Sequence, residues 1–238
     1  MKLLRKLINQ LIKESVYNTD FSKIDWMIAK LGMLENRVEV IIDNNHEDGN
    51  ELVIEIRSIK EWGNRDIPEK IGILKIDKSW GNCLDAYQVS WSKVRKKWRH
   101  LGIGPLMYEV AIEYITQEFG VGLICDRESL SDKAFPVWEK FFERSKTDPE
   151  ITVELLDFSH GSEDRKITPN NDQDDCDETT SMEWFMALKS NDYWEDGGPT
   201  PEFRKWWIEE DPTSKVYKKS PARTIKKLEE VGILRIYE

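Results

Sequence analysis

The sequence predicts a mixed α/β (α+β) domain, with a central sheet of about seven strands, flanking helices and a C-terminal extension. Three observations carry this reading. Residues 37–42 and 51–59 are rich in Val, Ile and Leu at alternate positions, the period of a half-buried strand. From Gly104 the apolar spacing lengthens to the three-to-four period of a helix. Short apolar runs then return at 121–125 and 151–158, each after a helical pattern, so the middle of the chain reads β-α-β-α-β with one parallel crossover.

Taken in order, residues 1–12 place Leu3, Leu4, Leu7, Ile8, Leu11 and Ile12 at helical spacing between lysines and an arginine. That pattern reads as an amphipathic helix packed on a core. It is too interrupted for a signal peptide or a membrane span. A second helix is expected over 21–34, capped by Asp20 or Ser22. Strands follow at 37–42, 51–59, 71–77 and 87–94, the first two joined by the polar turn 44–50 with Asp48-Gly49. A helix over 104–119 opens on Pro105, tolerated there because first-turn N–H groups have no partner to lose. A strand at 121–125, a helix over 131–144 and a strand at 151–158 come next. Residues 160–180, with Asp172, Asp174, Asp175, Asp177 and Glu178, read as a solvated, flexible acidic loop. Residues 182–188 read as a closing strand, which sets a first domain at 1–190. Residues 191–238 read as an appended, largely helical element: a break at Gly197-Gly198-Pro199, the apolar Trp206-Trp207, a helix from Ser220 or Thr224 to Glu230 that stops at Gly232, and a small strand at 233–237.

Net charge of −10 argues against a general nucleic-acid binder and suits a cationic, amine-bearing partner. Three cysteines (Cys83, Cys125, Cys176) without CxxC spacing give no disulfide framework and fit a reducing, cytoplasmic setting. His46, His100 and His160 are scattered, and the acidic block lacks the offsets of a calcium loop, so no metal is expected.

Chemistry concentrates in residues 89–104, Val-Ser-Trp-Ser-Lys-Val-Arg-Lys-Lys-Trp-Arg-His-Leu-Gly-Ile-Gly. A strand ends near Val94, a short loop carries Gly102 and Gly104, and a helix begins. Backbone N–H groups at such a start lack intrahelical partners and, with the helix dipole, favour a phosphate. Glycine lets the phosphate approach the backbone. Arg99 adds positive charge and stiffens the loop. The third glycine of a dinucleotide fingerprint and the Gly-Lys-Ser/Thr of a Walker loop are both missing.

With Arg99, Gly102 and Gly104 at R/Q-x-x-G-x-G/A spacing, and Val94, Trp98 and Ile103 around them, this segment resembles motif A of the GNAT N-acetyltransferase superfamily. Lys96 stands where that family often has proline, and His100 where it often has glycine. Downstream, Ser131, Ala134, Val137, Trp138, Phe141 and Phe142 fall where the family often has Asn-x-x-Ala-x-x-aliphatic-Tyr-x-x-Gly-Phe, with Ser, Trp and Phe departing from Asn, Tyr and Gly.

The resemblance implies a GNAT fold and an acetyl-CoA (coenzyme A) cofactor. Its pyrophosphate would lie on the amides of Arg99, His100, Leu101, Gly102, Ile103 and Gly104. Its pantetheine would bond to the backbone of Ser92 and Val94 like an added strand. Ser131 and a lysine, Lys133, Lys96 or Lys97, would reach its outer groups. It implies transfer of an acetyl group to an amine of a small molecule, a protein lysine or a protein N-terminus, with a homodimer as the common assembly. Glu55 and Asp85 are candidate bases for the amine proton. Tyr87, Tyr108 and Cys125 are candidate proton donors, because Trp138 occupies the place of the family's tyrosine and cannot deliver a proton. A GNAT-fold binding or structural protein without turnover is the other class this leaves open.

Overall fold

The computed structural model describes residues 37–44, 51–62, 65–78, 86–99, 101–126, 130–131, 133–155, 194–195, 198–199 and 209–237. The branched, alternating segments become β1 (Arg37–Asp43), β2 (Glu51–Trp62), β3 (Arg65–Lys78) and β4 (Ala86–Val94). The helical pattern becomes α1 (Ile103–Phe119), and the next short run becomes β5 (Gly122–Ile124). Then come α2 (Phe135–Ser145), β6 (Ile151–Leu155), the two-residue strands β7 (Trp194–Glu195) and β8 (Gly198–Pro199), β9 (Lys215–Lys219), α3 (Arg223–Glu230) and β10 (Leu234–Tyr237). Among the described residues eight strands form one sheet in the order β10-β1-β2-β3-β4-β5-β9-β6, and β7 pairs with β8 separately. The mixed α/β class is therefore as expected.

The C-terminal reading changes most. The sequence reads 191–238 as an appended, largely helical element with a small strand at 233–237; that strand is β10, and β9, which the sequence reading lacks, joins the same sheet. The physical reason is that strand partners are found by open edges, not by nearness in sequence. The expected first two helices, the acidic loop at 160–180, the strand at 182–188 and Trp206-Trp207 lie outside the described residues.

By internal contacts the chain divides into two units, one of residues 1–75, 92–114 and 221–238, the other of 76–91 and 115–220. In the first, β1 pairs antiparallel with β2 and parallel with β10, Val40 facing Ile56 and Leu234 in turn. Val38, Val40, Ile42, Leu52, Ile54, Ile56, Ile71 and Leu74 make its core, each at most 2% exposed. Burial of side chains of this size contributes about 1.5–3 kcal/mol apiece. Val53 and Glu55, on the face the alternation assigns to solvent, are buried as well.

Within α1 every residue from Leu106 to Ile115 is buried, although the sequence shows a one-sided apolar stripe broken by Glu109 and Glu113. A helix covered all round is a core helix. Glu113 earns no solvent because its Oε2 accepts the N–H of Ile225, 2.9 Å away, at the start of α3. The first bond of α3 runs from the Lys226 N–H to the Ala222 carbonyl, so alanine sits at the cap and neither Ser220 nor Thr224 does. A carboxylate from another helix thus supplies the acceptor that a capping side chain normally would. Glu113→Ala is expected to destabilise the chain by about 2 kcal/mol, the cost of orphaning a buried N–H at a helix start. The check is a urea titration, and an unchanged midpoint would refute the capping role. At its other end α3 closes as foreseen: Gly232 takes φ +72°, its N–H bonds to Glu229, and Ile233 N–H bonds to Leu228.

In the second unit β4 and β5 run parallel, with Ala86, Tyr87 and Gln88 beside Gly122, Leu123 and Ile124. β9 fills the place between β5 and β6, antiparallel to both. α2 begins four residues later than expected, at Phe135. The Ser131 hydroxyl accepts the Ala134 N–H at 3.2 Å, and the Ser131 carbonyl accepts from Ala134 and Phe135, making a turn that precedes the helix proper.

Candidate functional site

The loop between β4 and α1 lies wholly in the first unit. The Arg95 N–H bonds to the Ile71 carbonyl of β3 at 2.9 Å. Successive N–H groups of a strand point to opposite edges. The backbone groups of Val94 and Ser92 therefore point to the edge away from β3. The ladder of β4 with β5 ends at Gln88–Ile124, and β4 runs on to Val94. Those two residues are the pair named from the sequence as strand-like partners of a ligand.

After β4 a single 3-10 turn, Lys96–Trp98, tightens the chain, and the Arg99 Nε donates to the Val94 carbonyl at 3.0 Å. That bond ties the two ends of the turn, the stiffening role expected of Arg99. Gly102 has φ +79°, in the left-handed region that a side chain would strain. Its carbonyl accepts the first helical bond, from Leu106 N–H at 3.0 Å, so Gly102 is the residue at the helix cap. Ile103 and Gly104 stand in the first turn, where N–H groups lack intrahelical partners, and Pro105 has no N–H to lose. A Cβ built on Gly104 meets no atom within 4 Å. Among the described residues packing therefore does not require glycine there, and the space at its Cβ position is open.

The helix start is brought close to the sheet by another glycine. A Cβ on Gly72 of β3 would lie 3.0 Å from both Ile103 Cγ2 and Met107 Sδ. Pattern reading passes over Gly72, since an isolated glycine in a strand signals close approach only once the neighbour is known. Tyr108, from the second turn, is buried and donates to the Ser92 Oγ at 3.3 Å. Leu101 is half-buried, Ile103 buried, and His100 lies outside the described residues.

Five of the seven residues 93–99 are cationic. Two of them converge on one carboxylate of β3: Arg95 Nη1 lies 2.8 Å from Glu69 Oε1, and Lys97 Nζ 2.8 Å from Glu69 Oε2. Lys97 Nζ also lies 5.5 Å from the Trp98 ring centroid. Lys96 is exposed on the turn.

Of the candidate bases, Glu55 is 6% exposed in the first unit, its carboxylate paired with Arg57 Nε at 2.6 Å and with Lys70. Two cations on one carboxylate make it a structural ion cluster before they make it a base. Asp85 lies outside the described residues. Tyr87 belongs to the second unit, where it is buried and stacks on Phe119 with centroids 4.9 Å apart; burial raises its phenol above the ordinary value.

Also in the second unit, Ser131 and Lys133 are exposed, and the Ser131 hydroxyl is engaged in the turn before α2. Trp138 is fully buried, tilted against Tyr217 at 5.1 Å. Tyr217 Oη donates to the Pro212 carbonyl at 2.7 Å, and burial, with Cys125 and Asp211 adding to it, pushes its phenol well above the usual range. Cys125 Sγ lies 3.4 Å from the Thr213 carbonyl. This cluster was not visible in the sequence, because its members come from distant parts of the chain: Cys125 meets Thr213 and Trp138 meets Tyr217. Asp211 in fact binds both the N–H and the hydroxyl of Thr213, at 2.9 and 2.7 Å.

Next to it Lys215, 4% exposed, donates to Ser214 Oγ at 2.9 Å and lies 5.8 Å from the Phe142 ring centroid. Burial lowers its ammonium from 10.5 to about 8, against the opposing pull of Asp211. A depressed folded-state value means that the unfolded chain holds this proton more tightly. Below pH 8 both states are charged and the cost is full; as pH climbs past 8 the folded state sheds the proton first, and stability rises. Between pH 8 and 10 the gain is expected to be about 2 kcal/mol. Above pH 10 Tyr217 acts in the opposite sense, since its raised value keeps the folded state protonated while the unfolded phenol ionises. Urea midpoints at pH 8, 9 and 10 should rise for the native chain and stay level for Lys215→Met; parallel slopes in the two would refute the assignment.

Comparison with protein-family models, with curated proteins and with solved structures finds no match to this chain. Among the described residues no helix is long and apolar enough to cross a membrane.

Proposed function

We propose that this chain is an acyl-CoA-dependent N-acyltransferase that passes an acetyl group from acetyl-CoA to an amine. The observation that carries the reading is the start of α1: a left-handed Gly102 at the cap, followed by a first-turn Gly104 with open space where its Cβ would stand. Diphosphate oxygens need bare, outward N–H groups and an absent side chain, and this turn offers both. Three further features support it. β4 and β5 are parallel and joined by α1, the arrangement that puts a helix N-terminus at a strand's C-terminal end. Ser92 and Val94 lie on β4 beyond Gln88, its last residue paired with β5 among the described residues. The insertion of β9 between β5 and β6, antiparallel to both, agrees with the mixed sheet that the resemblance to the GNAT superfamily implies.

Acetyl-CoA supplies the activated thioester in this reading. The protein's part is to fix it and to place the amine: Gly102, Ile103 and Gly104 hold the diphosphate, the backbone of Ser92 and Val94 holds the pantetheine, and the Val94 N–H polarises the carbonyl. The test is isothermal titration of the full chain with acetyl-CoA, followed by acetyl transfer to a panel of polyamines, aminoglycosides and lysine peptides. Absence of heat at millimolar acetyl-CoA would end this reading.

One observation favours a second reading, a GNAT-fold protein that holds the cofactor without turnover. Trp138, at the place of the family's proton-donating tyrosine, is fully buried against Tyr217. Binding without transfer to any amine of the panel is the result that selects it.

A further inference from the structure

We infer that Glu69 is the positioning residue of the anion loop: it holds the 3-10 turn at Lys96–Trp98 in its binding shape by clamping the cation on either side of Lys96. The inference rests on the reading of this loop as a diphosphate site. Glu69 lies 22% exposed on β3, more than 25 residues away in sequence, and its two oxygens meet Arg95 at 2.8 Å and Lys97 at 2.8 Å. Arg99 closes the same turn from the inside, onto the Val94 carbonyl. The turn is therefore pinned at residues 95, 97 and 99. Two of the three pins are made by one carboxylate, and Lys96 is left exposed between them.

A carboxylate beside a proposed anion site is otherwise an electrostatic liability, because it lowers the local positive potential. Its presence is explained if loop order matters more than net charge. Five cations in seven residues repel one another. Without Glu69 the turn would open to separate them, and the start of α1 that it leads into, with the Ile103 and Gly104 amides, would lose its fixed approach. Stability has little part in this: the Arg95 and Lys97 side chains are about half exposed, and exposed ion pairs of this kind contribute little to stability.

Positioning and simple electrostatics predict opposite signs for Glu69→Gln, which keeps the size and removes the charge. Simple electrostatics predicts tighter acetyl-CoA binding at low salt. Positioning predicts binding at least tenfold weaker, with a melting temperature within a few degrees of the native chain. It also predicts amide hydrogen exchange at least tenfold faster over residues 95–104 in the full chain with no ligand present. Glu69→Asp, which keeps the charge at shorter reach, should fall between the two. Unchanged exchange in Glu69→Gln, or unchanged or tighter acetyl-CoA binding, overturns the inference. Faster exchange in a protein whose native form binds no acetyl-CoA leaves Glu69 as the clamp of this turn and removes the cofactor reading alone.

Discussion

Gly104→Val is expected to weaken acetyl-CoA binding by about 100-fold while leaving the chain folded. The two halves of this result have separate causes. A Cβ at 104 meets no atom of the described residues within 4 Å, so a side chain there is expected to be tolerated by the fold. Glycine is in any case a poor helix former. Gly104→Ala should therefore stabilise α1 by roughly 0.5–1 kcal/mol, and the valine variant should stay within about 1 kcal/mol of the native chain. A ligand diphosphate seated on the Ile103 and Gly104 amides would lose that approach. Hydrogen bonds to a charged group contribute about 1.5–3 kcal/mol each, so losing the equivalent of one to two gives a loss of about 100-fold. Titration calorimetry and thermal melts on the same preparation read both halves. A folded Gly104→Val protein with native affinity would remove the cofactor loop from the reading. The neighbouring glycine does not offer so clean a test. At φ +79° any side chain on Gly102 strains the backbone, so lost binding there would not separate ligand contact from misfolding.

Gly122→Val is expected to be the most destabilising single substitution in the described residues of β5. A Cβ at 122 would stand 2.2 Å from Val216 Cγ1 and 3.0 Å from the Tyr217 carbonyl. One neighbour is a branched side chain and the other is backbone, so neither yields cheaply. Overpacking costs of 1–3 kcal/mol, exceeded where backbone must shift, set the expectation at about 3 kcal/mol or more. Against a total stability of 5–15 kcal/mol this would show as aggregation or as a large drop in denaturation midpoint. The close approach of β5 and β9 is tested directly by the pair Gly122→Ala and Val216→Ala. Removing Cγ1 should rescue part of the alanine defect, giving a favourable coupling of about 1 kcal/mol or more. Strictly additive losses would mean that β9 does not lie against Gly122 as described.

Much of the candidate loop was legible from sequence because its information is local. Two glycines after a strand, a proline at the helix start and a change of apolar period from two to nearly four all lie within about twenty residues. The helix start was placed within one residue of Ile103. Arg99 was read as a stiffening residue, and its bond to Val94 spans only five positions. Glu69 was not seen, since nothing in Pro-Glu-Lys marks which cations it will meet. Glu55 was read as a candidate base, and its pairing with Lys70 depends on β2 and β3 lying side by side.

By itself the sequence determined the types of β1 to β6, α1 to α3 and β10, the mixed α/β class, the end of α3 at Gly232 and the glycine-bearing turn at 102–104. These follow from periodicity and from the φ values that single residues permit. Only the tertiary structure decided that β9 enters the sheet between β5 and β6, that β10 joins β1, that Glu113 caps a helix 112 residues away, and that Lys215 is buried with its ammonium lowered to about 8. Those outcomes depend on which strand edge is open and which buried group lacks a partner. Both are properties of surfaces assembled from distant parts of the chain, and no local window contains them.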